Sequence, residues 1–297
     1  ARNACGINVL ASNSNTIIHN VVYANEDTGL NFYTGSSFNL VIGNVTYGNG
    51  DHGIDNNAAP NNVFIGNTVQ GNVTVGINLE GPTSPGSGGA TVINNIMVDN
   101  GLLRLVGGGT STGSAGNMRV DAQSLVGTTL DYNMYHLNSG TAQIYWGGGS
   151  AYTSLAAFQA AQPTQEIDGL QANPLLAAPA PIAERPADPG PYNITINVGD
   201  NHITAGSPAI DSANADAPSE PTLDIEGYGR VDDPAITNTG AGTRTYDDRG
   251  AYEFQPPPTP TPTPTATATP TVTATPTITA TPTVTATPTV TATPTVT

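Results

Sequence analysis

The chain has 297 residues, 37% hydrophobic and only 10% charged, with a formal net charge of −16. All seven of its basic residues are arginines (Arg2, Arg104, Arg119, Arg185, Arg230, Arg244 and Arg249), and the net charge of −16 argues strongly against a nucleic-acid partner, whose phosphates need Lys/Arg contacts. Cys5 is the only cysteine, which rules out an internal disulfide, and no apolar run is long enough to span a bilayer.

In chain order, the first feature is a repeat. Gly plus an aliphatic residue recurs at Gly6-Ile7, Gly29-Leu30, Gly53-Ile54 and Gly76-Ile77, a period of about 23 residues. Paired asparagines follow each time, at Asn20/Asn25, Asn44/Asn49, Asn67/Asn72 and Asn95/Asn100. Between them lie short apolar or alternating segments such as NLVIGNVTY and NVFIGNTVQ, which read as strands. The period is too short for helical-pair repeats or propeller blades, and the leucine scaffold of leucine-rich repeats is missing. The reading is all-β: a right-handed parallel β-helix with coils of about 23 residues, stacked at about 4.8 Å, with asparagines hydrogen-bonded in ladders. The phrases GINVL, GNVTYGN, GIDNN, GNTVQGN and GINLE resemble the pectin-lyase-like superfamily of right-handed β-helices over about residues 4–135. The repeat is under way at residue 4 with no initiator Met, so a longer parent chain is expected.

Aligning the coils on their glycines places Asn8, Asn31, Asp55 and Asn78 in one outward column. Leu10, Tyr33, Asn57 and Glu80 fall in a parallel one. A one-residue shift in LLRLV and NMRVD would let Arg104 and Arg119 continue the first column. Asp27 and Asp51 occupy equivalent turns. One face would then carry Asp51, Asp55, Glu80 and Arg104 as candidate catalytic groups and His52, Asn78 and Arg119 as substrate-binding groups. Asp27, Asp51 and Asp55 are candidate oxygen ligands for Ca²⁺. Each has a plainer reading: the aspartates as turn residues, His52 as a surface histidine, His19 as a strand residue, and the arginines as partners of Glu80 and Asp121. Tyr132, Tyr135, Tyr145 and Trp146 read as core or cap packing.

Two chemistries suit such a face. Elimination from a uronate polysaccharide needs a cation on the carboxylate and a base. The pectate-lyase-like resemblance implies Lys or Arg as that base; with no lysine, only Arg104 or Arg119 remains. Glycoside hydrolysis needs two carboxylates about 5–9.5 Å apart. Asp51-His52-Gly53-Ile54-Asp55 is faintly similar to the N-T-D-G-I-D phrase of polygalacturonase-like hydrolases, without their later Asp-Asp pair or G-H-G phrase.

Insertions are expected at 81–90 and 107–116, where such loops flank a ligand groove. Residues 152–161, YTSLAAFQAA, read as a short helix stopped by Pro163, and 177–191 as a Pro/Ala-rich connector. HITAGSPAIDSA, DIEGYGRVDD and DDRGAYEF (202–254) resemble the choice-of-anchor Q module of bacterial secreted β-helices. That resemblance implies a cap closing the open end of the helix, with Asp211, Asp224, Arg230, Arg249 and Glu253 as a structural charge network. The Thr/Pro tract from 256 onward reads as a disordered, extended stalk. The expected domains are coils at 1–146, helix, connector and capping module at 147–254, and the stalk at 255–297. The expected protein is a monomer at the cell surface or outside the cell. It recognises and cleaves a polysaccharide, or serves as a non-catalytic adhesin or glycan binder.

Overall fold

The computed structural model describes residues 4–105, 109–110, 115–138, 143–181, 196–257 and 282–289. The side chain of Arg104, most of the 107–116 insertion, much of the 177–191 connector and most of the Thr/Pro tract lie outside the described residues. Residues 1–257 form one compact unit and 258–297 a second. In the second unit, 282–289 are exposed and carry no regular secondary structure.

The first unit is a right-handed parallel β-helix of about five coils. Its first sheet stacks Ile7–Leu10, Leu30–Tyr33, Ile54–Asn57, Val75–Glu80, Gly116–Val120 and Ile144–Trp146 in parallel. The second sheet runs from Thr16–Ile18 to Thr129–Asp131, and the third from Val21–Tyr23 to Leu170–Gln171. Inward side chains form one continuous core that includes Leu30, Phe32, Ile54, Phe64, Ile77, Leu79, Met118 and Val120.

The chain bends between the second and third sheets through single left-handed residues: His19, Gly43, Gly66, Asn94 and Tyr132, with φ between 54° and 60°. Each is followed by an asparagine, at 20, 44, 67, 95 and 133. Glycine and asparagine tolerate this conformation best, and three of the five corners read Gly-Asn or Asn-Asn, with His19 and Tyr132 at the other two. His19 is therefore a corner residue, not a strand residue. From the corner, each asparagine donates its Nδ2 to the Oδ1 of the next: Asn20 to Asn44, Asn44 to Asn67, Asn67 to Asn95 and Asn95 to Asn133, at 2.9–3.0 Å. A second ladder runs from Asn25 through Asn49, Asn72 and Asn100 to Asn117. The repeated glycine answers to this ladder: a Cβ on Gly53 would lie 2.6 Å from Asn72 Nδ2 and 2.5 Å from Val69 Cγ1.

The end of the stack is covered by a hairpin in which Ser150–Tyr152 turns back antiparallel on Ile144–Trp146. The helix Leu155–Ala161 follows, N-capped by Ser154 Oγ, and buries Phe158 against Trp146 and Tyr152. Residues 202–254, expected as the cap of the open end, pack along the flank of the coils. Ile203, Ala209 and Ile210 cover the outward Ile96, Val98 and Met134, and Ala251 covers Val45 and Tyr47. Arg249 ties the segment down by donating to the carbonyls of Asn133, Asp168 and Ser212. These outward coil residues are apolar, and burying them needs a cover that an end cap would not supply. Arg230 pairs within the segment with Glu253 at 2.8 Å and Glu220 at 3.2 Å, all buried.

Candidate functional site

The outer face of the first sheet carries the candidate groups. Its register pairs Asn8 with Asn31, Asn31 with Asp55, Asp55 with Asn78, Asn78 with Arg119, and Arg119 with Tyr145. The parallel column pairs Leu10 with Tyr33 and Asn57 with Glu80. Arg104 is not a rung of the first column. Its strand Arg104–Leu105 pairs antiparallel with Gly109–Thr110, in a hairpin that leaves the coil while Val75–Glu80 stacks directly on Gly116–Val120. Tyr145, read as core or cap packing, points outward and is half-buried, whereas Tyr135 and Trp146 are buried.

The register brings five side chains into one polar chain. Asn78 donates to Asp55 Oδ1 at 2.7 Å and accepts from Arg119 at 2.9 Å. The same Arg119 nitrogen reaches Glu80 Oε2 at 2.5 Å, and Asn57 donates to Glu80 Oε1 at 2.7 Å. Asn57, in the parallel column one coil before Glu80, is thereby a fifth member that the sequence places in the column without a role of its own. The Arg119 and Glu80 side chains are 24% and 26% exposed, which leaves them within reach of a ligand. Asp55 is 9% exposed and lies beneath them.

The two carboxyls of this chain sit in opposed environments. Burial pushes Asp55 up to about 6; the charge of Glu80 adds to the rise, while His52 and the Asn78 hydrogen bond oppose it. Burial would also raise Glu80, but the hydrogen bond and charge of Arg119 outweigh it and hold Glu80 below its ordinary value. Pairs driven apart in this way can divide acid and base roles between them. Asp55 and Glu80 are one coil and two residues apart, a diagonal of about 8 Å between backbone positions.

His52 is buried at 8% exposure, not a surface residue as expected. Its Nε2 lies 3.7 Å from Asp51 Oδ1, and its Nδ1 is buried with no hydrogen-bond partner among the described residues. Asp27 and Asp51 do stack as equivalent turns, with Asp51 N–H donating to the Asp27 carbonyl. Asp27 Oδ2 accepts from Cys5 Sγ at 3.7 Å, and Asp55 is taken up by Asn78. Among the described residues no group of three or more His, Cys, Asp or Glu side chains is placed to hold a metal ion. Asp121 is structural: Oδ1 caps the short helix Ala122–Ser124, and Oδ2 accepts from Gly81 N–H at the root of the 81–90 loop. That loop borders the face beside Glu80, and its Ser87 hydroxyl donates to the Glu80 carbonyl at 2.8 Å.

Elsewhere, His202 is clamped between Asp200 and Glu226 beside a cavity of about 410 Å³, on the flanking segment and not on this sheet. No helix among the described residues is long and apolar enough to cross a membrane. No curated protein matches the chain. Residues 1–125, which supply the first four coils and the start of the fifth, match the family model described as the right handed beta helix region.

Proposed function

We propose that the protein is an extracellular or cell-surface polysaccharide hydrolase, acting on the outer face of the first sheet. The observation that carries this is the pair Asp55 and Glu80, joined through Asn78 and Arg119 and shifted in opposite directions, Asp55 up by burial and Glu80 down by Arg119. Asp55, protonated below about pH 6, gives its proton to the leaving glycosidic oxygen as the C–O bond breaks. Glu80, kept ionised by Arg119, takes a proton from the water that attacks the anomeric carbon. Asn78 and Arg119 stand between the two carboxyls, and the inverting mechanism likewise keeps its carboxyls apart to leave room for that water. The resemblance of the coil phrases to pectin-lyase-like proteins supports a polysaccharide substrate. Elimination is the weaker chemistry, because a guanidinium stays protonated and Arg119 is already bound to Glu80.

One observation favours a second reading, a non-catalytic glycan binder or adhesin. Asn78 is fully buried and Asp55 nearly so, which limits their contact with a substrate. Reducing-end release from a polysaccharide panel, with and without Ca²⁺, separates the two. Hydrolysis predicts release that Asp55→Asn and Glu80→Gln each abolish and that declines as pH rises through about 6. Binding with no release from any polysaccharide would establish the binder instead.

A further inference from the structure

The two outward columns hold more than the carboxyl pair. Tyr33 is 46% exposed and lies two coils before Glu80 in its column. Tyr145 lies two coils after Asn78 in the other. Among the described residues, neither ring stacks on another. At the strand spacing Tyr33 lies about 7 Å and Tyr145 about 12 Å along the helix axis from the midpoint of the Asp55–Glu80 pair, one on either side. An aromatic face left open to solvent is a platform for the C–H-rich face of a pyranose, since its apolar area is otherwise unburied.

Charge narrows the ligand. Arg119 is the only cation among the described side chains on this face, and Glu80 neutralises it. Asp27 and Asp51 add negative charge at the strand starts, and the whole chain carries −16. A polyuronate would lay carboxylates against carboxylates, at a cost that grows as the face is desolvated. The remaining rungs, Asn8, Asn31 and Asn57, offer neutral amides that both donate to and accept from sugar hydroxyls.

We propose that this face takes a neutral polysaccharide laid along the helix axis, with Tyr33 and Tyr145 as stacking platforms on either side of the Asp55–Glu80 centre. The proposal rests on the hydrolase reading for the identity of that centre, but it is tested by binding alone. Affinity electrophoresis of the Asp55→Asn protein through gels containing neutral glucan, xylan or mannan, or containing polygalacturonate or alginate with and without Ca²⁺, reads the preference directly. Retardation by a neutral polymer is expected, with roughly tenfold weaker binding in Tyr33→Ala and in Tyr145→Ala and near-normal binding in Tyr33→Phe. Preference for a polyuronate, or retardation unchanged by both alanine variants, would overturn the proposal. Neutral-glycan binding that depends on both tyrosines, without reducing-end release by the native protein, would reject hydrolysis and leave this inference standing. Release from a neutral glycan that ignores both tyrosines would do the reverse. Failure to bind any polymer would overturn both.

Discussion

The internal asparagine ladder makes a quantitative demand. Asn95 is fully buried; its Nδ2 donates to the Phe64 and Ile93 carbonyls and to Asn133 Oδ1, while its Oδ1 accepts both the N–H and the Nδ2 of Asn67. Asn95→Ala removes all five bonds. The Asn67 N–H, itself buried, loses the partner it has there, and Asn67 Nδ2 keeps only the Val41 carbonyl. Each buried polar group left unpaired costs about 1–3 kcal/mol, so the variant should lose about 3–5 kcal/mol. At ~2–4 °C per kcal/mol for a unit of this size, the melting temperature should fall by about 6–20 °C. Asn20 opens the same ladder. Its Nδ2 donates to the Ile18 carbonyl and to Asn44 Oδ1, it receives no bond from an earlier rung, and it is partly exposed. Asn20→Ala should cost about 1 kcal/mol, near the net worth of an ordinary hydrogen bond. Thermal unfolding of the two variants, followed by β-sheet circular dichroism, measures the gradient. Equal and small shifts would refute the view that the ladder holds the coils through satisfied buried amides.

Stability should also follow pH in an unusual direction. Folding raises Asp55 and Asp211 to about 6 and Glu166 and Glu220 to about 7, each chiefly through burial, so the folded chain binds these protons more tightly than the unfolded one. Their contribution is complete below the ordinary carboxyl values and is lost as pH rises through about 6–7, so the melting temperature should fall between about pH 5 and pH 8; a rise across that window would contradict the assignment. Arg230→Met should destabilise by about 3–5 kcal/mol, because Glu220 and Glu253 would stay buried without their cation, and chemical denaturation with an unchanged midpoint would reject this.

Much of the coil architecture is legible because its cause is local and periodic. A left-handed corner residue followed by an asparagine writes Gly-Asn into the chain at Gly43-Asn44 and Gly66-Asn67, and glycine recurs where the ladder leaves no room for Cβ. The failure at Arg104 has an equally physical origin. LLRLV and NMRVD carry the same alternation, and alternation marks a half-buried strand whether it lies in a coil or in a hairpin projecting from it. What separates them is the ladder bond from Asn100 to Asn117, a contact across 17 residues that no local pattern contains. The flank position of 196–257 did leave a trace. Val45-Thr46-Tyr47 and Ile96-Met97-Val98 are buried at every position, and strands apolar on both faces are strands covered on both faces. The opposed environments of Asp55 and Glu80 are less visible, since they depend on Arg119 arriving 39 residues after Glu80 to bind one carboxyl and not the other.

The ladders also have a direction, and this decides how they end. Every rung donates its amide toward the C-terminal coil, so each ladder must finish on a group that accepts. The second ladder closes where Asn117 Nδ2 meets Gln143 Oε1 at 2.8 Å. The first closes on Glu166, which takes the Asn133 N–H, the Asn133 Nδ2 and the Tyr135 hydroxyl with its two carboxyl oxygens. Three converging donors suit a carboxylate, which only accepts; an asparagine there would again present an NH₂ group in need of a further coil. Glu166 is wholly buried, and the resulting desolvation raises it to about 7 despite those three donors. The first ladder thus stops its hydrogen-bond chain by trading an amide for an acid. The same residue that closes the ladder ties the stability of the last coil to pH.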